Sequence, residues 1–382
     1  MLNRHIVRGG LALVLLGLAG FGAWLSSLPP ASAPAQAQPV AAGDVDAMLA
    51  SLQPPGHKRP LVAVVGLNDA TETTDYLMPT GILRRADVAE VVTLAAGQGP
   101  VKLFPALTVQ ADATIAQFDA RHPAGADYVI VPAMSRDDDP AVLAWLREQS
   151  GKGAIVLGVC AGAKVVAAAG LLDGKRATTH WYYLQDMLDK HPSITYVANR
   201  RVVADRGVAT STGISASMPM MLTLIEAMAG RQKAEAVARD LGLPSWDLRH
   251  ASQAFVLSRP FATTVLGNVL AFWNRERIGV ELQPGMDEVS LALVADAWSR
   301  TYRSRALSFA RTPQAVETRN KVRVIPDASP ADRPSAAPMA AFTDRRPAQA
   351  LDQTLHAIAG RYGAPTASAV ALQLEYPWRT SP

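Results

Sequence analysis

A chain of 382 residues, 49% hydrophobic and 18% charged, has the composition of a globular protein with room for two domains. Its net charge of +4 is small and no stripe of Lys and Arg interleaved with aromatics occurs, so no nucleic-acid partner is expected. One cysteine excludes an internal disulfide and cysteine-rich zinc or iron–sulfur sites. The seven histidines are scattered without H-x-x-x-H or H-x-E spacing, and the sequence implies neither metal nor cofactor.

Arg4, His5 and Arg8 precede an uncharged apolar run from Leu11 to Leu28, and a Pro/Ala/Ser/Gln-rich stretch follows to Pro39. That is the order of a secretory signal. The run is long for a cleaved signal and near the lower limit for a membrane span. Ala35-Gln36-Ala37 offers a cleavage site, whereas Trp24 near the outer end of the run suits a retained anchor. Basic residues before the run place the N-terminus in the cytoplasm. Residues 1–40 are therefore expected to be a signal peptide or membrane anchor, with the rest exported, either periplasmic or held at the inner membrane. Residues 41–58 read as a tether with a short helix at 44–51.

Residues 59–243 alternate strand and helix patterns. Buried-strand runs occur at 61–65, 88–94 and 128–131, with a hairpin-like pair at 101–109. Helical patterns occur at 74–86 and 140–150, the latter opened by acidic residues that suit the helix dipole. Two strands around a turn are expected at 199–210, then helices at 217–229 and 231–242. The class is α/β, a flavodoxin-like, doubly wound and mainly parallel sheet, whose ligands bind at the carboxyl ends of the strands.

At one such end stands Gly158-Val159-Cys160-Ala161-Gly162, between a β-branched strand and a small-residue helix. The pattern is G-x-Nuc-x-G with sulfur in place of hydroxyl. It makes a strained turn that lifts the central side chain clear, and the helix N-terminus beside it favours a thiolate. A buried structural thiol is the plain alternative.

Residues 60–243 resemble the ThiJ/PfpI family of the class I glutamine-amidotransferase-like superfamily. The likeness rests on Val62-Ala63-Val64-Val65, Asp75-Tyr76-Leu77-Met78-Pro79, Tyr128-Val129-Ile130-Val131-Pro132, the Cys160 elbow, the segment from Gly170 to Thr178-Thr179-His180-Trp181, Asn199-Arg200, and Thr210-Ser211-Thr212-Gly213. The Thr-Thr-His-Trp segment is similar to the branch in which this domain precedes an AraC-type DNA-binding region. The resemblance implies that Asp75 meets the sulfur and moves its proton; read alone, Asp75 is also a first-turn helix carboxylate. It implies an oxyanion hole from the amide of Ala161 and one from the loop at Ala133. It makes His180 a base, a substrate contact or a structural residue. It also implies a homodimer. Two departures stand out. Pro132-Ala133-Met134 replaces Pro-Gly-Gly, and Ala161 stands where protease-like members carry His.

Residues 244–275 read as a helical connector whose Phe255, Phe261, Phe272 and Trp273 suit a core or interface. Residues 276–382 read as a partial, non-catalytic repeat of the same unit: the segment from Arg277 to Arg300 echoes the first strand and helix, and Val322-Arg323-Val324-Ile325 echoes 101–109. A loop is expected at 327–348 and one or two helices at 349–374, broken near Gly363-Ala364-Pro365. No clear helix-turn-helix tail follows. The expected function is an envelope-located, cysteine-dependent hydrolase or hydratase acting on a small electrophilic molecule. The alternative is a non-catalytic ligand-binding or redox-sensing domain.

Overall fold

The computed structural model describes residues 15–17, 19–30, 36–54, 59–329, 340 and 346–378. The expected signal or anchor therefore lies partly outside the described residues. Among those described, no helix is long and apolar enough to cross a membrane. The end of the apolar run meets Arg259, which donates to the carbonyls of Leu25 and Ser26 at 3.2 and 2.7 Å. The stretch read as a tether is not free. Helix α1 (Ala42–Ser51) docks on the domain through Met48, and the carbonyl of Leu52 accepts from Tyr128 Oη at 2.7 Å.

The first unit opens with β1 (Leu61–Gly66), β2 (Thr71–Glu72), α2 (Thr73–Ala86) and β3 (Glu90–Ala95). It continues through β4 (Val101–Phe104), β5 (Thr108–Gln110), β6 (Ala113–Thr114), α3 (Ile115–Arg121), β7 (Tyr128–Val131) and α4 (Pro140–Gly151). The elbow strand β8 (Ile155–Gly158) and α5 (Gly162–Ala168) follow, then β9 (Arg176–Ala177), α6 (Leu184–Lys190) and β10 (Thr195–Tyr196). The hairpin β11 (Val202–Asp205) and β12 (Val208–Ser211), with helices α7 (Ser217–Ala229) and α8 (Arg231–Leu241), completes it. The helices α3 and α6 carry too few apolar repeats to be read from the pattern.

The central sheet runs β11-β12-β8-β7-β1-β3-β6, parallel except for the edge strand β11. It is the flavodoxin-like arrangement the strand order called for. In β1, Val62 and Val64 enter one core while Ala63 and Val65 enter the other, because side chains alternate along a strand. Both faces are covered, hence the continuous apolar runs.

The second half contains α9 (Arg259–Leu270), β13 (Glu276–Glu281), α10 (Glu288–Ser299), β14 (Ser304–Phe309), β15 (Val316–Glu317), β16 (Arg323–Ile325), α11 (Pro347–Tyr362) and α12 (Ala364–Gln373). Of the connector, only α9 is α-helical, the rest being short 3-10 turns and extended chain. Strand β13 pairs in parallel with β14 as β1 does with β3. Thr93 N and Oγ1 donate to Asp112 at 2.8 and 2.6 Å; Ser308 N and Oγ donate to Asp327 at 2.9 and 2.7 Å. One constant shift in numbering carries Leu61 to Glu276, Thr93 to Ser308 and Asp112 to Asp327. The same shift carries Val109 to Val324, and these two equivalent residues face each other where β5 pairs antiparallel with β16. Two copies of one strand-helix-strand unit thus meet about a local two-fold axis within a single chain, in the manner of an isologous dimer.

Helices α2 and α10 pack together at this interface, where Gly81 lies against Glu288 and Val289. A Cβ there would lie 2.4 Å from Glu288 Oε1 and 2.9 Å from Val289 Cγ2. Gly81→Leu is expected to cost about 1–3 kcal/mol by overpacking, read as a lower urea midpoint. An unchanged midpoint would show that the two units are not packed as described.

Candidate active site

The elbow is built by steric necessity. Cys160 has φ 55°, in the left-handed region, where a non-glycine residue costs on the order of 1–3 kcal/mol. Its neighbours allow the turn to tighten: a Cβ on Gly162 would sit 1.9 Å from the carbonyl oxygen of Val131, and one on Gly158 would sit 2.9 Å from the amide of Ala163. The strained residue is held from two sides. Its N–H donates to Ser211 Oγ at 3.1 Å, and its carbonyl accepts from Thr179 Oγ1 at 3.0 Å.

The thiol is only 4% exposed. Burial pushes its pKa well above the usual thiol range, and the negative charges of Asp75, Glu72 and Glu375 push the same way. The Ala161 N–H acts on the sulfur in the opposite sense and is outweighed. The resting state is therefore a neutral thiol, although the helix N-terminus favours the thiolate.

Asp75 lies in the first turn of α2 and is fully buried. Glu72 caps that helix, its Oε2 accepting from Asp75 N at 2.6 Å and from Thr74 Oγ1 at 2.7 Å. Asp75 Oδ2 accepts from the amide of Ala133 at 3.1 Å, and Oδ1 is buried with no hydrogen-bond partner. Burial, then the charge of Glu72, raises the Asp75 carboxyl well above the carboxylate range. The expected hydrogen bond between Asp75 and the Cys160 sulfur is not made: Oδ2 is taken by the Ala133 amide, Oδ1 has no partner, and the two groups act on each other through charge alone.

Ala133 does not present a free amide to a substrate. Its N–H is committed to Asp75 and its carbonyl accepts from Glu72 N at 2.8 Å, while Ser135 N donates to Ala70 O at 2.8 Å. The loop lies along β2 as a short antiparallel bridge, Thr71 opposite Met134. The oxyanion-hole role expected for Ala133 is therefore not available in this state. His180 is likewise engaged at both nitrogens. Nε2 faces the carbonyl of Gln373 at 2.9 Å and Nδ1 accepts from Tyr182 N at 3.2 Å. Burial lowers its pKa, consistent with a neutral ring protonated at Nε2.

Three residues of the site come from the second unit and were missed in the sequence. Arg300, at the end of α10, donates from Nη2 to Glu72 Oε1 and from Nε to Asp296 Oδ1, both at 2.7 Å. The i,i+4 spacing of Asp296 and Arg300 was the legible signal; their meeting with Glu72 was not. Glu375, just after α12, has φ 50° and is 1% exposed. Its carboxylate accepts from Trp181 N at 2.7 Å and from Gly213 N. Around it, Leu372 O accepts from Trp181 Nε1 at 3.0 Å and Leu374 O from Ser215 N at 3.0 Å. The chain end at 372–375 thus binds the two loops that flank the elbow. Cavities of about 340 and 600 Å³ lie beside this region, and Cys160 lines neither. No group of three or more His, Cys, Asp or Glu among the described residues is arranged to hold a metal.

A flavodoxin-like sheet with cysteine at the strand-to-helix elbow and a buried acid on the first helix defines the class. The chain carries a DJ-1/PfpI family domain, the family model matching residues 62–227. The Parkinson disease protein 7 homolog of Danio rerio is 29% identical over 184 residues, covering 47% of this chain and 95% of that protein. An isonitrile hydratase of Pseudomonas putida is 39% identical over 104 residues, 27% of this chain and 44% of the enzyme. An HTH-type transcriptional regulator of Pseudomonas aeruginosa is 32% identical over 161 residues, 41% of this chain and 46% of the regulator. The chain thus spans less than half the length of the hydratase and of the regulator. Among solved structures, oxidised Toxoplasma gondii DJ-1 is similar at 24% identity with a TM-score of 0.43, covering 49% of this chain and all of that one.

The raised Asp75 carboxyl has a stability consequence. The native state keeps a proton that the unfolded chain loses above about pH 4, so stability falls as pH rises from there toward the native pKa. Asp296, raised chiefly by burial, adds with the same sign. Asp75→Asn removes one of these titrations and is expected to flatten the fall of the urea midpoint as pH rises above about 4. An unaltered slope would show that Asp75 ionises normally. The thiol should react with iodoacetamide at least about tenfold more slowly than an exposed cysteine at pH 7.5, because both burial and protonation suppress it.

Proposed function

We propose that the DJ-1/PfpI domain is a cysteine-dependent hydratase or hydrolase for a small electrophilic molecule, with Cys160 as nucleophile. The observation that carries this reading is the elbow itself: strained Cys160 with the Ala161 amide on its sulfur, in the field of a buried Asp75 whose carboxyl holds its proton more tightly than usual. Strain of this kind persists only where the surroundings impose it, and it marks sites of chemistry. For an isonitrile, the sulfur bonds to the terminal carbon while Asp75 supplies the proton taken up by the substrate and receives the thiol proton in exchange. Water then adds to the thioimidate, and cleavage of its carbon–sulfur bond releases a formamide and restores the thiol. The hydratase relative supports this substrate class. Entry requires that residues 372–375 lift from the loops they hold.

That seal also supports the second reading, a domain that binds a ligand or senses oxidation at Cys160 without turnover, as does the likeness to a regulator. The basic start and apolar run of the sequence support export and attachment of the N-terminal segment to the membrane; recovery of the folded protein in the cytosolic fraction would overturn that part. The catalytic reading is tested with a panel of isonitriles, amides and aldehydes on the full chain, Cys160→Ser and Glu375→Ala. Product formation is expected in the full chain, to be abolished by Cys160→Ser and raised several-fold by Glu375→Ala, which loosens the seal. Absence of Cys160-dependent product in both the full chain and Glu375→Ala removes the enzyme reading and leaves the sensor.

A further inference from the structure

A second site is indicated on the far side of the C-terminal seal. The cavity of about 600 Å³ there lies between residues 249–264 and α12 with the segment that follows it. Its size falls in the range of about 300–1,000 Å³ typical of small-molecule sites. Phe255, Phe261, Leu372 and Trp378 give it apolar walls. Two arginines, Arg201 and Arg249, line it, and no Asp or Glu does.

The two arginines differ. Arg249 is neutralised by Asp247, to which it donates from Nε at 2.9 Å and also from Nη2. Arg201 donates from Nε to the carbonyl of Arg249 at 2.8 Å and reaches Ser215 Oγ at 3.4 Å, and makes no ion pair among the described residues. The acids that could serve it are taken: Asp247 by Arg249, and Glu375 by two backbone amides. Arg201 is half-buried, and burial pulls its pKa down.

We propose that this cavity binds an amphipathic monocarboxylate, its carboxylate on the Arg201 guanidinium and its apolar body between Phe255, Phe261 and Trp378. A guanidinium fork matches a carboxylate in two parallel hydrogen bonds, and the aromatic walls suit an acyl chain or an aromatic body.

The test is isothermal titration of the full chain with decanoate, and with decyltrimethylammonium as a cation of the same chain length. Saturable one-to-one binding of decanoate is expected, with no comparable binding of the cation. Arg201→Gln should weaken decanoate at least tenfold, Arg201→Lys should weaken it less, and Ser368→Trp, which fills the cavity, should abolish it. Cys160→Ser should bind decanoate as the parent chain does, which separates this site from the elbow. Circular dichroism and melting establish that each variant folds; if Arg201→Gln does not, Ser368→Trp decides. The proposal is overturned if decanoate does not bind, if the cation binds equally well, or if folded Arg201→Gln or Ser368→Trp binds decanoate undiminished.

Discussion

The Arg300 guanidinium holds two buried carboxylates at once, Glu72 of the first unit and Asp296 of its own helix. Its counterpart under the internal repeat is Arg85, which reaches Asp287, the counterpart of Glu72. Each helix N-terminus is therefore capped by a carboxylate that an arginine of the other unit neutralises. Removing one partner of such a buried pair typically costs about 3–5 kcal/mol, because it strands a charge away from water. Glu72 in turn holds the first turn of α2, where Asp75 stands. The geometry of the elbow's acid thus depends on a contact between units whose sequences are far apart.

The elbow combines three constraints that pull in different directions. Close approach of backbone at Gly158 and Gly162 fixes the turn, and the turn forces Cys160 into a costly φ. The helix N-terminus stabilises a thiolate, but burial and three nearby carboxylates oppose it more strongly. The thiol is thus held neutral by its burial and by Asp75 and Glu72 of its own unit, with Glu375 of the second unit adding to them. Gln373, Leu374 and Glu375 supply acceptors to His180, Trp181, Gly213 and Ser215, all on loops beside the thiol.

Much of the first unit was legible in the sequence because its signals are local. Buried parallel strands read as unbroken apolar runs, and Ile155 to Cys160 with its glycines could form little else. Pro140 after Asp139 marked the start of α4, where the Asp139 carboxylate accepts from Ala141 N and Val142 N. Helices α3 and α6 were missed because seven residues carry too little periodicity to register. The tether was misread because Met48 and Leu52 are ordinary residues in a polar stretch, buried only because a groove beside α7 and β11 receives them.

By itself the sequence determined the sheet and the elbow with cysteine at its centre, since strand periodicity and the steric demands of a tight turn are written within a few neighbouring residues. Only the tertiary structure decided the state of that thiol. Whether a thiol is ionised depends on the dielectric and the charges around it, and here burial acts together with Asp75 and Glu72 from the first unit and Glu375 from the far end of the second. The same holds for Ala133, whose amide the sequence offered to a substrate and the fold gave to Asp75. A hydrogen bond has one donor to spend, and its partner is chosen by packing rather than by composition.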